Sequence, residues 1–79
     1  MNILIVEDES ALAGALEHIL RKAGHNTDWV ADGQSALDYI RGFSYDLILL
    51  DVMLPKLDGL SVCQQIREFS NVPIVMLTA

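Results

Sequence analysis

Apolar positions follow two alternating rhythms along this chain: short solid runs and helical spacings. Ile3-Leu4-Ile5-Val6 is continuously apolar, the pattern of a strand covered on both faces. Ser10, with acids just before it, is a fair N-cap. The helix it opens carries Leu12, Ala15, Leu16, Ile19, Leu20 and Ala23 at helical spacing, and Gly24 is its natural stop. His25 to Val30 reads as a second strand, made polar by Asn26, Thr27 and Asp28. Asp32-Gly33 opens a second helix with Ala36, Leu37 and Ile40, and Gly42 ends it. Leu47-Ile48-Leu49-Leu50 repeats the doubly apolar run and leads into Asp51. Asp58 caps a third helix carrying Leu60, Cys63 and Ile66, and Val72-Pro73-Ile74-Val75-Met76-Leu77 is a fourth strand. The order βαβαβαβ predicts an α/β fold, a doubly wound parallel sheet with helices on both faces.

Strand polarity suggests how the sheet is ordered. The first and third strands are apolar throughout and suit the centre, while the polar second strand suits an edge. The strand order is therefore expected to be 2-1-3-4. Right-handed crossovers then put the first helix on one face and the second and third on the other. Winding reverses between strands one and three, and in open α/β sheets ligands bind beyond the carboxyl ends at such a reversal. Those ends are Glu7-Asp8 and Asp51. The fourth strand is as apolar as the central ones and expects a neighbour and a covering helix, so the chain reads as if cut after Ala79.

Composition narrows the possibilities. A hydrophobic fraction of 52% excludes a disordered acidic tail. Five Lys+Arg against eleven Asp+Glu give a net charge of −6, which disfavours direct binding of nucleic acid or anionic lipid. The single cysteine, Cys63, cannot form an internal disulfide, which suits a reducing compartment. The N-terminus lacks the basic region of a signal peptide, and no apolar run approaches a membrane span, so a cytoplasmic module is expected.

Three carboxylates brought together repel one another unless a cation or shared protons offset the repulsion. Oxygen ligands with open positions suit Mg²⁺, and a carboxylate beside that ion can act as a nucleophile toward phosphorus. Asp51 is the candidate nucleophile because it ends a central strand. The plainer alternative is that acids after strands merely cap the next helix, which is the favoured reading of Glu9.

At this point the sequence resembles the receiver domains of two-component response regulators, from Ile3 to Ala79. The resemblance is carried by Ile3-Leu4-Ile5-Val6-Glu7-Asp8, by Leu49-Leu50-Asp51-Val52-Met53-Leu54-Pro55-Lys56-Leu57-Asp58-Gly59, and by Val72-Pro73-Ile74-Val75-Met76-Leu77-Thr78-Ala79. It implies a flavodoxin-like receiver fold, with residues 1–79 forming an incomplete domain that lacks the fourth helix, fifth strand and fifth helix. It further implies that Asp51 accepts a phosphoryl group from a histidine kinase, and that Glu7, Asp8, Asp51 and the Met53 backbone carbonyl surround Mg²⁺. Thr78 would supply a switch hydroxyl, and the Ala79 backbone N–H would help hold the phosphoryl oxygens. The family's ion-pairing lysine follows a fifth strand, and none of the five basic residues here is placed to replace it. The wording around Pro55 and Val72 looks most like regulators with a winged-helix DNA-binding effector domain.

Other residues have plain structural readings. Met53 and Met76 are expected in the core, Pro55 to shape the loop after Asp51, and Thr78 could simply end a strand. Cys63 suits inert packing, His18 and His25 surface or boundary positions, and Trp29 the edge of the core. Three rival functions fit parts of the pattern. A haloacid-dehalogenase-type phosphatase needs a second Asp two residues after the nucleophile, where Met53 stands. An assembly module without phosphotransfer would exploit the bare fourth strand, and self-association is expected there. A flavodoxin-like cofactor carrier would place phosphate against Glu7-Asp8-Glu9, which repel it.

Overall fold

The computed structural model describes residues 1–54 and 57–77. Four strands and three helices alternate along it: β1 (Asn2–Val6), α1 (Ser10–Lys22), β2 (Asn26–Val30), α2 (Gly33–Gly42), β3 (Leu47–Asp51), α3 (Gly59–Arg67) and β4 (Ile74–Leu77). The strands form one parallel sheet in the order β2-β1-β3-β4, as strand polarity predicted.

The alternating side chains of β1 feed two separate packing layers. Leu4 and Val6 join Ile48, Leu50, Ala36, Leu37, Val62 and Ile66 on the face covered by α2 and α3. Ile3 and Ile5 point the other way and pack with Ala13, Leu16 and Leu20 of α1. Ile3, Leu4, Ile5 and Val6 are each at most 1% exposed, which explains why that run contains no polar position.

Five local details differ from expectation. Glu9, not Ser10, is the N-cap of α1, and its side chain makes no capping bond. The buried stripe of α1 runs through Ala13, with Leu16 and Leu20 beside it, whereas Leu12 and Ile19 lie outside it. On α3 the buried positions are Gly59, Val62 and Ile66, and Leu60 is exposed. In each helix the apolar positions span more of the circumference than the sheet can cover. β4 begins at Ile74 rather than Val72, because Pro73 has no N–H for the ladder, though its carbonyl still accepts from the Ile48 amide at 2.9 Å. β2 begins at Asn26 because His25 closes α1 instead. Its amide bonds the Leu20 carbonyl at 3.1 Å, the Gly24 amide bonds that of Arg21 at 3.0 Å, and Gly24 has φ +93°. No helix among the described residues is long and apolar enough to cross a membrane.

Candidate metal and phosphoacceptor cleft

The sheet register brings the acids together. Val6 pairs with Leu50, so the next residues, Glu7 and Asp51, leave the two central strands side by side. One carboxylate oxygen from each of Glu7, Asp8 and Asp51 lies within 4.8 Å of the others. These three residues, with Met53 and Leu77, line a cleft of about 270 Å³ at the carboxyl ends of the strands. A larger cleft of about 540 Å³ opens between Ile40, Tyr45, Phe69 and Val72, at the opposite end of the sheet. It gathers no carboxylates, so size does not identify the site here and chemistry does.

Glu7 is the least ordinary member. Its residue is 3% exposed, its Oε1 accepts only a long 3.4 Å bond from the Glu9 amide, and its buried Oε2 has no hydrogen-bond partner. Burial pushes its carboxyl up to about 7, and the neighbouring Asp51 carboxyl pushes the same way by its closeness and negative charge; Asp8 adds to this, and the Glu9 amide opposes it. A buried carboxylate with an orphaned oxygen, facing two further carboxylates, fits a hard divalent cation better than any group the described residues supply.

Asp51 is held differently. Its Oδ1 accepts the Met53 amide at 3.0 Å, so the chain turns sharply immediately after the strand. The Val52 amide donates to the Leu77 carbonyl at 3.1 Å, and the Gly59 amide donates to the Val52 carbonyl at 2.9 Å. The loop from Asp51 thus returns onto its own starting point. A Cβ on Gly59 would fall against the Asp51 carbonyl and 2.7 Å from Val52 Cα, both main-chain atoms that cannot swing aside. Asp58 then opens α3 by accepting the Ser61 amide at 2.9 Å, and that bond holds its carboxyl below the usual carboxylate range.

Glu7, Asp8 and Asp51 therefore come together as expected. Met53 lines the cleft, but its side chain is 69% exposed, which corrects its expected place in the core. Met53 lies in the turn after β3, where its amide donates to Asp51 Oδ1. Thr78 and Ala79, and the Pro55 and Lys56 positions of the loop, lie outside the described residues. Two contributors were not singled out from sequence. Gly59 carries no role in the sequence pattern beyond following the cap Asp58, although a glycine in the first turn of a helix costs propensity and so hints at a steric need. Trp29 was read as an edge cover, yet its indole Nε1–H donates to the Glu7 main-chain carbonyl at 2.6 Å. An N–H-bearing aromatic on an otherwise polar edge strand was the available signal.

Comparison with known proteins agrees with this geometry. Residues 3–79 match the family model described as the response regulator receiver domain. The transcriptional regulatory protein BaeR of Escherichia coli is 51% identical over 77 residues, covering 98% of this chain and 32% of BaeR. The receiver domain of a Pseudomonas aeruginosa sensor histidine kinase, solved with a magnesium ion coordinated in its active-site cleft, superposes with a TM-score of 0.94 at 42% identity. That match covers 99% of this chain and 66% of the other. The response regulator TrrA of Thermotoga maritima, in complex with Mg²⁺ and BeF, gives a TM-score of 0.93 at 34% identity, covering 99% and 69%. The chain spans about a third of the length of the curated relatives it matches.

Proposed function

The chain belongs to the response regulator receiver family, and on that premise we propose that Asp51 is its phosphoacceptor, loaded by a histidine kinase. The observation that carries this is the buried, unpartnered Oε2 of Glu7 beside Asp51 and Asp8, an arrangement that calls for a cation. Glu7, Asp8, Asp51 and the Met53 main-chain carbonyl would hold Mg²⁺, which when bound neutralises charge on a transferring phosphoryl group. In the transfer, an Asp51 oxygen forms the new P–O bond as the P–N bond to the kinase histidine breaks. The bonding pair stays with the imidazole nitrogen. Thr78 would direct its hydroxyl, and Ala79 its backbone N–H, at the phosphoryl oxygens. The relation to transcriptional regulators supports a DNA-binding effector domain as the recipient of the signal.

The phosphatase alternative gains no support, because Met53 offers no acid–base group two residues after Asp51. Self-association of the 79-residue chain is a further part of the proposal. Val75 pairs with Leu49 and so shares the α1 face of the sheet; it is 48% exposed there, on a strand at the sheet's edge. A monomer by light scattering at high micromolar concentration counts against that part alone. The phosphoacceptor reading is tested with acetyl phosphate and Mg²⁺, on a longer chain continuing through a fifth strand and helix. Labelling is expected on Asp51 and lost in Asp51→Asn; an unlabelled Asp51 overturns the proposal.

A further inference from the structure

The main chain of Glu7 is held from both sides by the last two residues of β2. Its amide donates to the Val30 carbonyl at 3.1 Å, which extends the β1–β2 ladder one residue past the end of β1. Its carbonyl accepts the Trp29 indole N–H at 2.6 Å. Trp29 pairs with Ile5 in the sheet, which places its ring on the α1 face, beside the turn that leads from β1 into α1. That turn has little else to fix it. Glu9 caps α1 without a side-chain bond, and the Glu9 amide reaches Glu7 Oε1 only at 3.4 Å.

The donor type also suits the place. A lysine or arginine reaching this carbonyl would bring a positive charge beside a cluster that has to attract a cation. Indole offers a single neutral N–H and no acceptor, so it ties the carbonyl without competing for the carboxylates. We infer that Trp29 is a positioning residue for the acidic cleft: its indole N–H fixes the turn that aims Glu7 and Asp8 toward Asp51. This rests on the reading of the cleft as a Mg²⁺ site.

The test titrates Mg²⁺ alone into the chain and into Trp29→Phe, which keeps an aromatic ring and removes the N–H. Affinity is read by calorimetry. The indole Nε1–H resonance, unambiguous because the sequence has one tryptophan, is followed by NMR in the wild type. Mg²⁺ binding is expected to weaken about tenfold in Trp29→Phe, the low end of what partners behind metal ligands contribute. The wild-type indole resonance is expected to be protected from solvent exchange and to shift saturably with the calorimetric affinity. Equal Mg²⁺ affinity in the two proteins overturns the inference, even if Trp29→Phe melts lower, because a merely packed ring affects stability alone. Should Trp29→Phe fail to fold, the wild-type indole proton decides: free exchange with solvent and no shift on Mg²⁺ overturn the inference. If the wild type does not bind Mg²⁺, the phosphoacceptor reading falls and this inference with it. That result is distinct from a wild type that binds and a variant that binds equally well.

Discussion

Two loops meet at the cleft, and they are built on opposite principles. The described residues of the loop from Asp51 to Gly59 are tied to one another. Asp51 accepts the Met53 amide, the Val52 carbonyl accepts the Gly59 amide, and Asp58 caps α3. The loop from Glu7 to Glu9 is left short of partners, with a buried orphan oxygen on Glu7 and an N-cap that makes no side-chain bond. One side of the cleft is therefore preorganised by its own hydrogen bonds, while the other stores an electrostatic deficit. Rigidity is placed at the proposed nucleophile, where orientation matters most. The deficit is placed on the residues proposed to attract a cation.

The largest effect that could break this contrast is steric. Gly59→Ala pushes a methyl into the Asp51–Val52 main chain, and destabilisation of about 3 kcal/mol is expected, the upper end for overpacking. Chemical denaturation measures it; a cost near zero means the Asp51 loop is not tightly closed.

The next effect is electrostatic and sharpens the other half. Glu7 titrates near 7 in the fold against 4.5 for an ordinary carboxyl, so its contribution is fully present below about pH 4.5. It is lost as pH rises through about 7, at a cost on the order of 2–3 kcal/mol without metal. Glu7→Gln should remove this dependence and leave a metal-free protein more stable than wild type at pH 8. Mg²⁺ should raise the wild-type melting temperature more at pH 8 than at pH 5, since it binds the ionised cluster. A wild-type melting temperature that rises with pH in metal-free buffer contradicts the assignment.

The smallest effects concern the two caps. Asp58→Ala should lower the melting temperature of the fold, because the Ser61 amide loses its acceptor. Glu9→Ser should raise stability by about 0.5 kcal/mol, because it supplies a cap where none exists. Opposite signs at the two helix starts would confirm that only one of them already has its side-chain cap.

Much of this was legible in the residues. The solid runs at Ile3 and Leu47 identified central strands because β1 is buried on both faces and β3 fully on one and partly on the other, and Asp28 and its polar neighbours identified an edge. Order and acid placement follow from those two facts together with crossover handedness. Less legible were properties that depend on distances between segments remote in sequence. The approach of Gly59 to Val52, the exposure of Met53 and the bond from Trp29 to Glu7 all arise from how a loop folds back, which periodicity does not encode. Helix stripes were over-read for a related reason. Leu12, Ile19 and Leu60 are spaced as if buried, but hydrophobic spacing alone does not say which arc of a helix the sheet reaches.

Cys63 sits half-buried on α3, packed against the α2–α3 layer of the core, and it is the sequence's only thiol. The helix that carries it starts at Gly59, whose amide is tied to the residue after Asp51. Alkylation of that half-covered sulfur by a maleimide is expected to quicken when α3 lifts, so its half-life reports from a distance on how firmly the loop after Asp51 is latched.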